Sequence, residues 1–199
     1  MFVFESKLTQ EFRLHFDEKI AEMFQSIGIR EGSVWIEVFH DGENYYFNEV
    51  GFRYGGSVSI YPVDYFYQIN QVAADIHYAL TGESCISEHT SLIRSTLPRK
   101  KYYCIYPVHI NAGTISSISG LDKIAQLENI VYLATTKYLH DRIESSGSFS
   151  QVFALVHFVC NTTEECIQTI DRIHQMLVVF DEHGNNMVNR MLDVGKIIF

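Results

Sequence analysis

Residues 35–57, WIEVFHDGENYYFNEVGFRYGGS, hold two glutamates and an arginine in the pattern of this chain that points most directly to chemistry. Glu37 lies in one apolar run and Glu49 in the next. Between them His40-Asp41-Gly42-Glu43-Asn44 contains an Asp-Gly step, a strong hairpin signal. A three-residue loop, 42–44, sets Asp41 opposite Tyr45 and Glu37 opposite Glu49 on one face. Like charges so opposed destabilise a sheet unless a cation lies between them. A divalent metal resolves the conflict, and hard carboxylate oxygens suit Mg²⁺, which is commonly held by one or two carboxylates plus substrate phosphates. Arg53, four residues beyond Glu49, adds a planar donor fork suited to phosphate or carboxylate. Gly55-Gly56-Ser57 let backbone approach a ligand closely. A loop of two or four residues instead puts the acids on opposite faces of a solvated surface hairpin, and alternation alone leaves both registers open.

The elements that must position these residues are legible as periodicities. Leu8, Phe12, Phe16, Ile20, Met23 and Phe24 recur at helical spacing, which predicts an amphipathic helix over 7–27 with Ser6 as cap and Gly28 as terminator. The hairpin follows at 33–50. From Tyr61-Pro62 a second helix runs to Gly82, with Phe66, Ile69, Val72, Ala73, Ile76 and Ala79 on its buried stripe. Residues 85–101, polar and carrying Pro98 and Arg99-Lys100-Lys101, read as a connector between regions 1–84 and 102–199. Beyond it the pattern predicts strands at 102–110, 114–119, 129–136 and 151–160, paired antiparallel in one sheet, and a short helix opening near Leu121. Thr162 and Glu165 have capping-box spacing ahead of a helix buried through Cys166, Ile167, Ile170, Ile173 and Leu177. The fold class expected is α+β.

Composition limits the function classes. The chain has 199 residues, a hydrophobic fraction of 47% and 14% aromatics, which is globular material and not a disordered segment. A formal charge of −9 disfavours nucleic acid as a partner, and one basic triplet does not make a phosphate-backbone site. No apolar run reaches bilayer-spanning length and no signal peptide is visible, so a soluble, cytoplasmic protein without a membrane partner is expected. Cys85, Cys104, Cys160 and Cys166 are scattered without metal-type spacing, which predicts neither zinc nor disulfides. None of the nine histidines repeats at a ligand spacing, and Ser57 and Ser59 lack a nucleophile-elbow context.

The order apolar-Glu-apolar, turn, apolar-Glu-x-x-x-Arg, then a helical region ending near Leu80-Thr81-Gly82, resembles the last part of an ATP-grasp domain. That superfamily includes biotin carboxylase, carbamoyl-phosphate synthase and the amino-acid ligases. The second half, through Gly113-Thr114-Ile115, Gly120-Leu121, Gly147 and Thr163-Glu164-Glu165, is similar to the domain that follows the grasp fold in biotin carboxylase and the carboxylate-amine ligases. The resemblance implies that Glu37 and Glu49 hold Mg²⁺ on the phosphates of ATP and that Arg53 lies near an acyl phosphate. It also implies ATP-dependent ligation of a small carboxylate to an amine or other nucleophile. One departure stands out: the family asparagine two residues after the second glutamate, a further metal ligand, is Gly51 here.

The resemblance further implies that a nucleotide-gripping region, with a phosphate-binding lysine and a glycine-rich loop, precedes this part in the intact enzyme. The expectation is therefore a C-terminal fragment whose partner is that N-terminal region or a separate subunit, and which by itself binds Mg-ATP weakly or not at all. The alternative is a noncatalytic remnant whose C-terminal sheet serves as a scaffold for homodimerisation or docking.

Overall fold

A computed structural model of the chain describes residues 1–86 and 101–190. Most of the expected connector, including Arg99 and Lys100, lies outside the described residues. Two compact units divide the chain: residues 11–98 form one, and residues 1–10 with 99–199 form the other.

Residues 11–26 of α1 (Lys7–Ser26) belong to the unit of residues 11–98 and carry most of the aromatic stripe that the sequence marks. Ser6 Oγ accepts the Thr9 amide at 3.3 Å, satisfying one orphan donor of its first turn, and Gly28 follows its end at φ 86°. Phe12 and Phe16 pack on Tyr45 and Phe47 of the hairpin at ring separations of 5.2–5.9 Å. The hairpin is β2 (Trp35–His40) with β3 (Tyr45–Gly51). The second helix departs from expectation, because it is two helices: α2 (Ile60–Tyr67) and α3 (Gln71–Thr81). Gln68 in the left-handed region ends the first, and the Asn70 side chain, accepting from the Ala73 amide at 3.0 Å, starts the second. This break resets the helical phase. Phe66, Ile69 and Ala74 are buried, whereas Ala73, Ile76 and Ala79, expected on the stripe, are exposed.

The other unit contains β1 (Phe2–Phe4), β4 (Tyr102–His109), β5 (Gly113–Ser119), α4 (Leu121–Ala125), β6 (Ile130–Thr135), β7 (Arg142–Ile143), β8 (Val152–Cys160), α5 (Thr163–Met176) and β9 (Val178–Asp181). Pairing is antiparallel throughout, as expected, but the strands form two sheets instead of one: β1-β4-β8-β6 and β7-β5-β9. The sequence pattern gives no warning of β1, β7 or β9, which span three, two and four residues. Pro107, within β4, is tolerated because β1 pairs only with Tyr103–Ile105 and leaves the strand edge unpaired beyond. Cys166, Ile170 and Ile173 of α5 bury their apolar face against Cys104, Tyr106 and Val108 of β4 and Phe158 of β8 in one core cluster. Full burial of such side chains contributes roughly 1.5–3 kcal/mol each. Thr162 caps α5 through the Glu165 amide at 3.2 Å. The reciprocal half of the box is displaced by one residue, since the Glu165 carboxylate accepts from the Asn161 amide at 2.7 Å. Among the described residues, no helix is long and apolar enough to cross a membrane.

Candidate functional site

The hairpin brings the two glutamates together by a route the sequence does not reveal. His40, not Asp41, pairs with Tyr45, so the loop is four residues long, 41–44, one of the lengths that the alternation leaves open. Asp41 organises it: Oδ1 accepts the Glu43 and Asn44 amides at 2.9 and 2.8 Å, and Oδ2 accepts the Tyr46 hydroxyl at 2.9 Å. Those bonds, the Asn44 amide foremost, hold the Asp41 carboxyl down at about 2. A four-residue loop with regular pairing would separate Glu37 from Glu49, yet the register pairs them. The cause is a β-bulge. Val38 pairs with Phe47 and Glu37 with Glu49, which leaves Asn48 as the extra residue on β3.

The bulge reconciles two demands. Without it Tyr45, Phe47 and Glu49 would share one face, and the carboxylate would point toward α1. With it Tyr45 and Phe47 pack on Phe12 and Phe16, while Glu49 projects with Glu37, Trp35 and Gly51 on the opposite face. Asn48 is a residue that sequence reasoning missed. Its Nδ2 donates to Glu37 Oε1 at 2.6 Å, fixing the carboxylate orientation and leaving Oε2 outside that bond. The available signal was a polar residue breaking the alternation in an apolar strand.

Trp35 accounts for the position of Arg53. The guanidinium carbon stands 5.0 Å from the centroid of the Trp35 ring, Nη1 donates to the Tyr54 carbonyl at 3.0 Å, and Nη2 approaches Glu49 Oε1 at 3.8 Å. The Glu49–Arg53 pair is more than half exposed on both sides, so it orients the arginine and contributes little stability. Gly51 makes room for this arrangement, because a Cβ there would meet Arg53 Nε at 3.3 Å. A side chain at position 51 would need the arginine to move by a few tenths of an ångström. Gly55 is required for a different reason: a Cβ would lie 2.7 Å from Ser59 Oγ and 2.8 Å from Trp35 Cδ1. Ser57 and Val58 follow at φ 61° and 57°, and such a left-handed β-branched residue stores strain of the kind found in ligand-facing loops.

The base of the hairpin is tied to α3. Asp75 Oδ2 accepts the Tyr54 hydroxyl at 2.7 Å and the Ser33 hydroxyl at 3.1 Å. Burial first, then the Asp75 hydrogen bond, pushes the Tyr54 phenol up to about 12, so it remains a donor throughout the working pH range. Carboxylate oxygens on two paired strands are hard donors that suit Mg²⁺, and the exposed face leaves room for phosphate oxygens to complete its coordination.

The architecture that holds these residues is a partial ATP-grasp fold. The chain matches an L-amino acid ligase from Bacillus licheniformis with a TM-score of 0.68 at 22% identity, over 86% of this chain and 41% of that one. It matches phosphoribosylglycinamide synthetase from Anaerococcus prevotii with a TM-score of 0.65 at 14% identity, over 83% and 41%. The biotin carboxylase domain of Hydrogenobacter thermophilus 2-oxoglutarate carboxylase, whose structure holds MgADP and bicarbonate, matches with a TM-score of 0.60 at 15% identity, over 94% and 39%. The chain therefore spans about two fifths of the length of these neighbours. No family model matches it, and no curated protein sequence matches it significantly.

Proposed function

We propose that this chain forms part of an ATP-dependent ligase that activates a small carboxylate as an acyl phosphate, which an amine or another nucleophile then attacks. Glu37 and Glu49 would hold Mg²⁺, which when bound neutralises charge on the nucleotide phosphates. The role of Glu37 depends on Asn48 holding its carboxylate, and that of Glu49 on the bulge turning it away from α1. Arg53, already braced by Trp35 and the Tyr54 carbonyl, would face the acyl phosphate or the tetrahedral oxyanion that follows, where a positioned donor is worth most. None of these residues acts as a nucleophile. The observation that carries this reading is the in-register pairing of Glu37 with Glu49 on the face away from α1.

The remaining part of the ATP-grasp domain, in the same polypeptide or a separate subunit, is the proposed partner. Phe39, Tyr46, Val50 and Phe52 of the hairpin region are exposed, which supports a further contact there. The test is Mg²⁺-dependent ADP formation by the protein together with that partner region, with hydroxylamine added to trap the acyl phosphate as a hydroxamate. Glu49→Gln is expected to lower turnover by roughly 100-fold or more. Unchanged Mg²⁺-dependent turnover in that variant would remove Glu49 from the metal role.

A second reading has its own support: a noncatalytic scaffold, in which no metal is bound. Gly51 offers no side-chain oxygen, and the Arg53 side chain lies against that position. Under this reading, calorimetry finds no Mg-ATP binding even with the partner region present, and the chain still assembles with it or with itself.

A further inference from the structure

Cys104, Cys160 and Cys166, which the sequence scatters over 63 positions, converge in the C-terminal unit: their sulfurs all lie within 4.8 Å of one another, and all three residues are buried. Topology produces this. Tyr102 pairs with Cys160 across β4 and β8, so Cys104 is the diagonal neighbour of Cys160 on the same sheet face, and its Sγ lies 3.8 Å away. Cys166, in the first turn of α5, is laid over that face by the helix that packs there. Its Sγ lies 3.8 Å from Met1 Sδ, which brings a thioether to the edge of the cluster.

We propose that Cys104, Cys160 and Cys166, with Met1 Sδ as a fourth soft donor, form a structural site for a thiophilic d¹⁰ metal ion, Zn²⁺ or Cu(I). A tetrahedral ion with metal–sulfur bonds of about 2.3 Å needs sulfurs about 3.8 Å apart. Both sulfur–sulfur distances quoted above meet that requirement. Sulfur donors alone exclude Mg²⁺ and Ca²⁺, which require oxygen, and favour Zn²⁺ and Cu(I). The loading step releases three protons, one from each thiol, so affinity falls as pH falls. Three thiolates leave the site at −1 with Zn²⁺ and −2 with Cu(I); burial favours the smaller charge, and hence zinc, whereas the thioether favours copper. Among the described residues this is the group of metal-type side chains that lies together, and it belongs to the unit that does not contain Glu37 and Glu49. Its ion would clasp β4, β8 and α5 and take no part in ligation.

The experiment is metal loading of the whole chain, purified and handled without oxygen. ZnCl₂, CoCl₂ and a Cu(I) salt are supplied separately, excess is removed by dialysis, and bound metal is measured by elemental mass spectrometry. The expected result is about one retained equivalent of Zn²⁺ or Cu(I), a rise in Tm with that ion, and, if zinc is the ion, sulfur-to-cobalt charge-transfer absorption with Co²⁺. Cys85→Ala, which alters the exposed cysteine, is expected to keep the ion, and Cys166→Ala to lose it. Folded wild-type chain that retains under about a tenth of an equivalent of either ion, with no Tm change, overturns the proposal and leaves the three cysteines as apolar packing. That readout needs no variant, so a misfolded Cys166→Ala does not decide the matter.

Discussion

At the scale of single residues, the site depends on side chains that do no chemistry themselves. Trp35 supplies the ring on which Arg53 rests, and Asn48 holds Glu37. Neither role is written in residue spacing. Glu37, Glu49 and Arg53 were legible because their charges interrupt apolar runs at hairpin spacing, whereas Trp35 reads as one more apolar strand residue until the fold places it beneath the guanidinium. Tyr54 is a further positioning residue, since its hydroxyl ties the loop after β3 to Asp75 on α3. Tyr54→Phe removes that bond, while the Ser33 hydroxyl still reaches Asp75. The variant is expected to lose about 1 kcal/mol of stability, read from the urea midpoint, with Arg53 less well ordered. A midpoint equal to wild type would mean that the bond exchanges evenly with water.

Among elements, the bulge in β3 makes the most specific prediction. Deleting Asn48 removes the extra residue itself, so that Glu49 follows Phe47 directly and still pairs with Glu37 across a regular ladder, on the face away from Phe12 and Phe16. The deletion is therefore expected to keep any Mg²⁺ or Mg-ATP binding that the parent shows to about the level of Asn48→Ala, since each variant loses the bond to Glu37 and keeps the carboxylate pair; calorimetry of the two variants checks this. Binding lost in the deletion but kept in Asn48→Ala would count against this register. This one-residue register is also what the sequence hid. A period-two pattern fixes which residues alternate but not where one is skipped, and a four-residue loop combined with a bulge mimics the pairing of a three-residue loop. The helix broken at Gln68 was hidden for a related reason: the apolar residues on either side are compatible with one continuous stripe, and only the left-handed backbone at Gln68 and the Asn70 cap reveal two phases.

For the molecule as a whole, long-range pairing decides what sequence cannot. The fold class and the main strands of the C-terminal unit followed from local patterns, while the division into two sheets and the meeting of three cysteines follow from contacts over more than 50 positions. The same unit sets a pH dependence. Burial, then the charge of Arg190, lowers the His174 pKa from 6.5, with Asp171 opposing. Burial also pushes the Tyr106 phenol up to about 12, so its hydroxyl stays protonated, and it shares a hydrogen bond with Nε2 of His174 at 2.7 Å. Because the folded imidazole resists a proton that the unfolded chain accepts, the unfolded state binds more protons below 6.5. The contribution is therefore present above that pH and is lost as pH falls toward the lower, folded value. Thermal denaturation is expected to show Tm falling across this window, less so in His174→Gln. An identical pH profile in that variant would assign the loss to other groups.

The first strand of the chain completes an element drawn almost entirely from its second half. Phe2–Phe4 covers the Tyr103–Ile105 stretch of β4, which without it would be an open edge of apolar, hydrogen-bond-hungry backbone. Trimming five residues from the front should therefore damage the back: the shortened protein is expected to self-associate through β4, visible as higher-order species in light scattering, while the Phe12–Phe47 contact within the other unit persists. An alteration at the leading end would thus be felt a hundred positions away, as a loss of solubility and not of local shape.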